Sequence, residues 1–255
     1  MGYRISHHSK KILHTTLFFN LYLSLLLWSS AQIFAAQTHS ESVNIYLKFA
    51  PDNAALELIQ KFNAYLCEKN IFSQYRFTPF LAKHPVHVTL YLTNYDSRYV
   101  TRLRQQIQDI ARKTKPVRMQ TKTIEMSSGM YTMLFIANNK HLQELSNQVV
   151  LHLMKYRDKR TPLPSWVHDN DKKLSFLRFG SPNVFENFSP HMSIFAVNHL
   201  TTTDMTRLRT SLTPLINNFN KSQQRVTIRA IAIGIGLADA QGQIVKELYS
   251  FPLDG

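Results

Sequence analysis

The alternation of apolar and polar residues predicts the first strand and helix of this chain. Residues 43–49 carry an aliphatic or phenylalanine side chain at every second position, which is typical of a strand with one buried face. A helix is predicted to follow, with Asp52 or Asn53 as its N-cap, because apolar residues then recur at three-to-four spacing. Cys67 falls within this spacing and is predicted to lie in the core.

Two later runs repeat a pattern of histidine, apolar residue, hydroxyl residue and apolar residue. The first is HVTL at residues 87–90, and the second is HMSI at residues 191–194. Because strand side chains alternate between two faces, each histidine shares a face with the hydroxyl two residues later. Histidine followed by such a hydroxyl is common, but only these two runs in the chain also carry both apolar residues.

The order of predicted elements repeats after the two motifs. Each motif is followed by an amphipathic helix and then by two strands separated by a short polar turn, which indicates an internal duplication. A further amphipathic segment, residues 141–156, closes the first half. The elements predicted after the motifs are helices around residues 100–110 and 205–215, and strands at residues 117–126, 131–137, 226–237 and 244–251.

Two features of these strands predict local departures from regular geometry. Within residues 226–237 the apolar register shifts by one position, which predicts a β-bulge near Ala230, and Gly234 indicates a bend or a close approach to the backbone. Tyr91 and Phe195 each follow a motif histidine by four residues, where an aromatic ring could stack on a base. Strand rise puts them about 13 Å from the histidine Cα atoms, so a place in the core is favoured.

The segment between the halves, residues 157–184, is interpreted as a long loop with a short strand at residues 174–179. It is dense in basic residues and weak in periodicity, and loops of this length in compact domains often have a function. If this loop binds substrate, the ring of Trp166 could stack on a base and the basic residues could hold phosphate. The alternative is a solvated linker in which Trp166 packs against the protein surface. The candidate substrate-loop residues are Arg157, Arg160, Trp166 and Arg178.

The start of the chain has the pattern of a secretory signal peptide, assigned here to residues 1–36. A basic start is followed by a Leu- and Phe-rich stretch at residues 17–28 and by small residues near Ala31 and Ala36. The alternative is an uncleaved membrane anchor. The mature protein, residues 37–255, is therefore expected to be exported to a bacterial periplasm or secreted, without a stable membrane span after cleavage.

Charge and the motifs that the chain lacks limit the classes of function. The formal net charge of +14 favours anionic partners such as nucleotides or RNA. The single cysteine excludes an internal disulfide, which is compatible with a bacterial periplasm. The sequence has no dinucleotide or phosphate loop, no serine-hydrolase elbow and no paired-histidine zinc motif, and we expect neither a cofactor nor a metal.

Taken together, the motifs resemble the two-histidine (2H) phosphoesterase superfamily of bacterial 2′-5′ RNA ligases and 2′,3′-cyclic phosphodiesterases. The resemblance rests on residues 87–90, on SPHMSI at residues 189–194 and on FGSPNV at residues 179–184, and it extends over about residues 43–251. It implies an α+β fold with a duplicated bilobal domain, in which two antiparallel sheets surround a central cleft and the helices lie outside. The lobes would be residues 43–156 and 185–255.

The resemblance also implies a function and a set of residues that carry it. His87 and His191 would act as general base and general acid in a metal-independent phosphodiesterase, and Thr89 and Ser193 would bind the phosphate oxygens. Which histidine is the base stays open. The expected substrate is a nucleotide or RNA end with a 2′,3′-cyclic phosphate or 2′-5′ linkage, and the expected state is a monomer. The alternatives are a catalytically silent nucleotide- or RNA-binding module and an exported interaction protein.

Overall fold

The computed structural model describes residues 40–127, 129–197 and 199–255. The predicted signal peptide, residues 1–36, lies outside the described residues. Within those ranges, no helix has both the length and the apolar character needed to cross a membrane.

Strands and helices follow one another along the described residues in an order that matches most of the predictions. After each histidine motif the chain runs through a helix and then two strands, as predicted. The strands are β1 (Ser40–Phe49), β2 (Val88–Asp96), β3 (Val117–Met126), β4 (Tyr131–Ile136), β5 (His191–Ala196), β6 (Thr227–Ala238) and β7 (Ile244–Pro252). The helices are α1 (Ala54–Glu68), α2 (Ile71–Tyr75), α3 (Val100–Lys113), α4 (Lys140–Leu153), α5 (Asn170–Phe179) and α6 (Thr202–Ser222).

All strand pairs are antiparallel and follow the order β2-β1-β6-β3-β4-β5, with β7 also paired to β6. The mixed α+β class is confirmed. The two predicted sheets are joined in one strand order, because residues 117–120 of β3 pair with β6 and residues 121–126 pair with β4. The end strands β2 and β5 contact each other, which brings the two motif strands together.

The helices bury one face of this sheet, and the motif residues lie on the opposite face, which we call the open face. Leu58 and Phe62 of α1, Ile107 of α3 and Leu212 of α6 are buried in the same apolar core as the sheet residue Val117. The amphipathic spacing of the helices explains this arrangement, since one apolar stripe on each helix can be covered only by the sheet.

The predicted strand at residues 174–179 is wrong, and the predicted loop 157–184 contains helix α5. The Asp169 side chain caps this helix by accepting from the Lys172 backbone N–H, and Gly180 ends it with φ of 77° and an N–H bond to the Phe176 carbonyl. Ser175 and Phe176 are its buried residues. Because so little of the helix is buried, its sequence has no apolar stripe that would predict a helix. The capping residues Asp169 and Gly180 were the only indication of a helix in this part of the sequence.

The prediction that Cys67 lies in the core is also wrong. The thiol is exposed, while the preceding residue, Leu66, is fully buried. One step along a helix turns the side chain by about a quarter of a turn, which takes Cys67 out of the buried stripe of α1. The predicted Asn53 cap is confirmed, since its side chain accepts from the Leu56 backbone N–H at 3.0 Å.

The predicted bulge in β6 is confirmed. Lys48 pairs with Ala232 and the next residue, Phe49, pairs with Ala230, so Ile231 is the extra residue. The close approach predicted at Gly234 is confirmed as well, because a Cβ atom there would collide with the Tyr46 ring. The glycine therefore makes room for a tyrosine on the open face.

Candidate active site

The structure places the two motifs at the starts of the adjacent strands β2 and β5. His87 directly precedes β2 and is 6% exposed, while His191 is the first residue of β5 and is partly exposed. The hydroxyl residues Thr89 and Ser193 are also partly exposed. Their apolar neighbours are buried in the core, so each histidine shares the open face with its hydroxyl as predicted.

Each histidine is held by the same local hydrogen bond. His87 Nδ1 lies 3.0 Å from the Pro85 carbonyl oxygen, and His191 Nδ1 lies 2.8 Å from the Ser189 carbonyl oxygen. Because a carbonyl oxygen can only accept, Nδ1 carries a proton in both rings. In the neutral rings, Nε2 is therefore the basic nitrogen.

Burial makes both imidazoles harder to protonate. Burial lowers the pKa of His87 from 6.5 to about 4; the Pro85 carbonyl opposes this change, and the charge of His191 adds to it. Burial also lowers the pKa of His191, where the Ser189 carbonyl opposes the change and the charge of Lys172 adds to it. The effect of the His191 charge on His87 places the two rings within electrostatic range of each other.

Each histidine also lies against an aromatic ring from the neighbouring strand. The Tyr46 ring meets His87 edge-on at a centroid distance of 5.5 Å, and the Phe135 ring lies 5.9 Å from His191. The Tyr46 hydroxyl donates to the Glu247 carboxylate at 2.7 Å, and burial, together with Glu247, raises the pKa of Tyr46. Tyr46 therefore stays neutral and fixed, and it limits the orientations open to the His87 ring.

Asn44 joins the first motif to the turn between β6 and β7. Its Nδ2 donates to the Thr89 hydroxyl at 2.8 Å and to the Gly242 carbonyl at 3.0 Å, and it lies 3.5 Å from His87 Nε2. The side chain is fully buried. Asn44 and Tyr46 were missed by the sequence reasoning. Strand alternation in residues 43–49, which puts both on the polar side, was the one available signal.

Both motif strands have a bulge at the same position, the fourth residue of the motif. Thr89 pairs with Tyr46 and Tyr91 with Ile45, so Leu90 is skipped. Pairing between β5 and β4 likewise skips Ile194. The bulges turn the following aromatic residues away from the histidines, and Tyr91 and Phe195 are 1% and 0% exposed. The prediction that these two rings belong to the core is confirmed.

The predicted substrate-loop residues lie in α5 or in the segment before it. Arg157 donates to the Met154 and Leu177 carbonyls, and Arg160 pairs with Asp158 at 2.9 Å. The Arg178 guanidinium lies 5.0 Å from the centroid of the Phe179 ring, and Trp166 is 55% exposed. Their binding of substrate stays a prediction.

No group of three or more histidine, cysteine, aspartate or glutamate side chains that could hold a metal ion occurs among the described residues.

Comparison with known proteins identifies the family. The model of the 2′-5′ RNA ligase superfamily matches residues 50–235. The chain belongs to the 2′-5′ RNA ligase superfamily. The matched residues include both motifs, and the resemblance drawn from them is confirmed. Membership of this superfamily of two-histidine phosphoesterases supports, in general terms, an enzyme that acts on phosphodiesters or RNA ends.

Several solved structures are similar to this member of the superfamily. TT0787 of Thermus thermophilus is 11% identical, with 84% of this chain and 98% of that chain covered and a TM-score of 0.48. Usb1 of Kluyveromyces marxianus is 14% identical, with 84% and 98% covered and a TM-score of 0.46. E. coli LigT complexed with ATP is 10% identical, with 86% and 100% covered and a TM-score of 0.41. A search of curated proteins gives no match.

Proposed function

We propose that this protein is a metal-independent phosphodiesterase that hydrolyses 2′,3′-cyclic phosphates or 2′-5′ linkages of nucleotides or RNA ends. The observation that carries the proposal is the matched pair of imidazoles. Both are held at Nδ1 by the carbonyl two residues earlier, which leaves Nε2 as the basic nitrogen of each neutral ring. A general base and a general acid on opposite sides of one phosphate are what such a hydrolysis requires.

The effect of His191 on His87 supports His87 as the base and His191 as the acid, because the positive charge of His191 lowers the pKa of His87 and so favours its neutral form. His87, with its pKa near 4, is neutral at physiological pH and can remove a proton from water. The water oxygen forms a new bond to phosphorus as the bond from phosphorus to one ribose oxygen breaks. Protonated His191 then donates its Nε2 proton to that departing oxygen, so that one water molecule is added overall.

The two hydroxyls would stabilise the charge that builds on the phosphate. Thr89 accepts a hydrogen bond from Asn44 Nδ2 at 2.8 Å, so its own proton is free to be donated. A phosphate oxygen in front of β2 is the acceptor that this proton suits. Ser193 has the same position in the second motif, and together the hydroxyls would bind two non-bridging oxygens.

The proposal is tested with the full-length protein, a chelator, and a panel of 2′,3′-cyclic nucleotides and 2′-5′-linked dinucleotides. We expect hydrolysis of at least one substrate class that is lost in the H87A/H191A double variant. Nucleotide binding without turnover would overturn the enzyme proposal in favour of a binding module. A requirement for added divalent metal would overturn the metal-independent mechanism.

We also propose that the protein is exported. The support is the signal-peptide pattern in residues 1–36, with its basic start and Leu- and Phe-rich stretch. Cell fractionation and N-terminal sequencing of the recovered protein test this proposal. An N-terminus near residue 32 or 37 in the exported fraction supports cleavage, whereas an intact N-terminus in the membrane fraction supports the anchor.

A further inference from the structure

Two arginines lie directly opposite each other where β3 pairs with β6. Arg118 is the Cα partner of Arg229, and the next residues on the same face, Gln120 and Thr227, are also partners. All four side chains are exposed, and none makes a hydrogen bond or ion pair in the part of the chain that the structure describes. Like charges opposite each other in a sheet are destabilising, so this pair needs a compensating anion or a functional reason.

The arginine pair is on the face of the sheet that carries the histidines. Tyr46 lies against His87, and Lys48, two residues later, shares the Glu247 carboxylate with Tyr46. Phe49 therefore points to the opposite, core face. Its partner Ala230 is fully buried, so the preceding residue, Arg229, points to the open face.

The bulge at Ile231 is what allows this arrangement. Ala232 pairs with Lys48 and lies on the open face, and without an extra residue Ala230 would lie there too. Because the bulge reverses the alternation, Arg229 and Thr227 share the open face with Ala232 and Gly234. The sequence therefore places two exposed polar pairs on the motif face by means of a single inserted residue.

Between the arginine pair and His87, the open face carries small side chains on β6 and a lysine and a glutamate that pair with each other. Along β6 the open face carries Ala232 and Gly234, and the Tyr46 ring covers the glycine. The Glu247 carboxylate at this surface is paired with Lys48 at 2.7 Å. Gly234 and Arg229 are about 13 Å apart along the strand, because Ile231 is the extra residue of the bulge and adds little to the length. A ligand that reached from the histidines to the arginine pair would therefore have to extend well beyond a single phosphate group.

We propose that Arg118 and Arg229 bind a backbone phosphate of an extended single-stranded oligonucleotide whose reacting end lies between His87 and His191. Two guanidiniums side by side present forked donors that match phosphate oxygens, and Gln120 and Thr227 add neutral donors beside them. The inference deepens the proposed function, on which it rests for the chemistry at the histidines. It assigns to Arg118 and Arg229 a second phosphate site, separate from the one between the histidines.

The test is a binding measurement that needs no turnover. A fluorescent short oligoribonucleotide with a 3′-phosphate is titrated with the full-length protein over a series of KCl concentrations. The R118Q/R229Q variant is compared with R102Q/R112Q, which removes the same charge from exposed positions of α3 on the helix side of the sheet. Loss of two phosphate contacts should reduce the slope of log K against log salt by about 1.4, since each single-strand contact contributes about 0.7.

We expect the R118Q/R229Q variant to bind roughly tenfold more weakly at low salt, and the control variant to bind as the wild type does. An unchanged slope and affinity in R118Q/R229Q, or an equal loss in the control, overturns the inference, and so does a wild type that does not bind the oligonucleotide. Hydrolysis of cyclic mononucleotides, together with an unchanged salt slope in R118Q/R229Q, would contradict this inference but not the proposed function. Salt-dependent binding through the arginines without any turnover would sink the proposed function alone.

Discussion

Asn44 donates a hydrogen bond to the Thr89 hydroxyl at 2.8 Å, across the paired strands β1 and β2. The same Nδ2 atom reaches the Gly242 carbonyl, so one buried amide fixes a motif hydroxyl relative to the turn that borders it. Because Thr89 accepts this bond, its own proton is available to another acceptor. Asn44 is in this sense a positioning residue, which acts on the substrate through Thr89.

Replacing Asn44 with alanine should lower kcat by roughly tenfold, because Thr89 would lose the partner that orients its proton. We expect the midpoint of urea unfolding to fall as well, by the equivalent of about 1–3 kcal/mol, since the Gly242 carbonyl loses a buried donor. A variant with kcat unchanged contradicts the positioning role, whereas N217A, at an exposed position of α6, should match the wild type in both measurements.

The pH–rate profile of kcat/KM should be bell-shaped with its maximum below neutrality. Catalysis needs neutral His87, so the rate rises with pH through about 4. Catalysis also needs protonated His191, so the rate falls as pH rises through the pKa of His191, which burial holds below 6.5. Initial rates in buffers of constant ionic strength give the two limbs. A maximum on the alkaline side of neutrality contradicts the assignment.

The stability of the folded protein should depend on pH through the same buried histidine. The pKa of His87 is lower in the folded state, at about 4, than its ordinary 6.5. The contribution of neutral His87 to the free energy of unfolding is therefore fully present above pH 6.5. About 3 kcal/mol of this contribution is lost as the pH falls towards 4. Urea unfolding of the wild type and of H87A at several pH values measures this, and the H87A variant should show the smaller loss over that window.

The packing of Tyr46 against Gly234 predicts a sharp difference between two glycine-to-alanine substitutions. In G234A the new methyl group collides with the Tyr46 ring, so we expect a loss of about 1–3 kcal/mol and a lower rate as the ring that borders His87 moves. The control is G129A, where the nearest atoms to a Cβ are 3.9 Å away. Equal unfolding midpoints for the two variants would contradict this account of Tyr46.

The sequence predicted the elements that have strong periodicity and missed those that do not. The strands and the amphipathic helices lie close to their predicted bounds, because one apolar face per element is enough to define them. Helix α5 was missed because its buried residues, Ser175 and Phe176, form no stripe. The exposure of Cys67 was missed because it directly follows the buried Leu66, and the prediction placed both residues in the same apolar stripe.

The candidate site was only partly accessible from the sequence, for a comparable reason. His87 and His191 belong to a repeated pattern, and a pattern can be recognised without knowledge of contacts. Asn44 and Tyr46 act through contacts with residues far along the chain, and nothing in residues 43–49 identifies those partners. The opposition of Arg118 and Arg229 likewise depends on strand register, which the bulge at Ile231 sets.

The central claim is that the imidazoles of His87 and His191 perform the proton transfers of phosphodiester hydrolysis. The most direct measurement is kcat for the best 2′,3′-cyclic nucleotide substrate, in the presence of chelator, for H87A, H191A and the control H141A, at an exposed position of α4. Each motif substitution should lower kcat by about 10²–10⁴-fold, and the control should keep the wild-type rate. A rate near that of the wild type in either H87A or H191A would contradict the account.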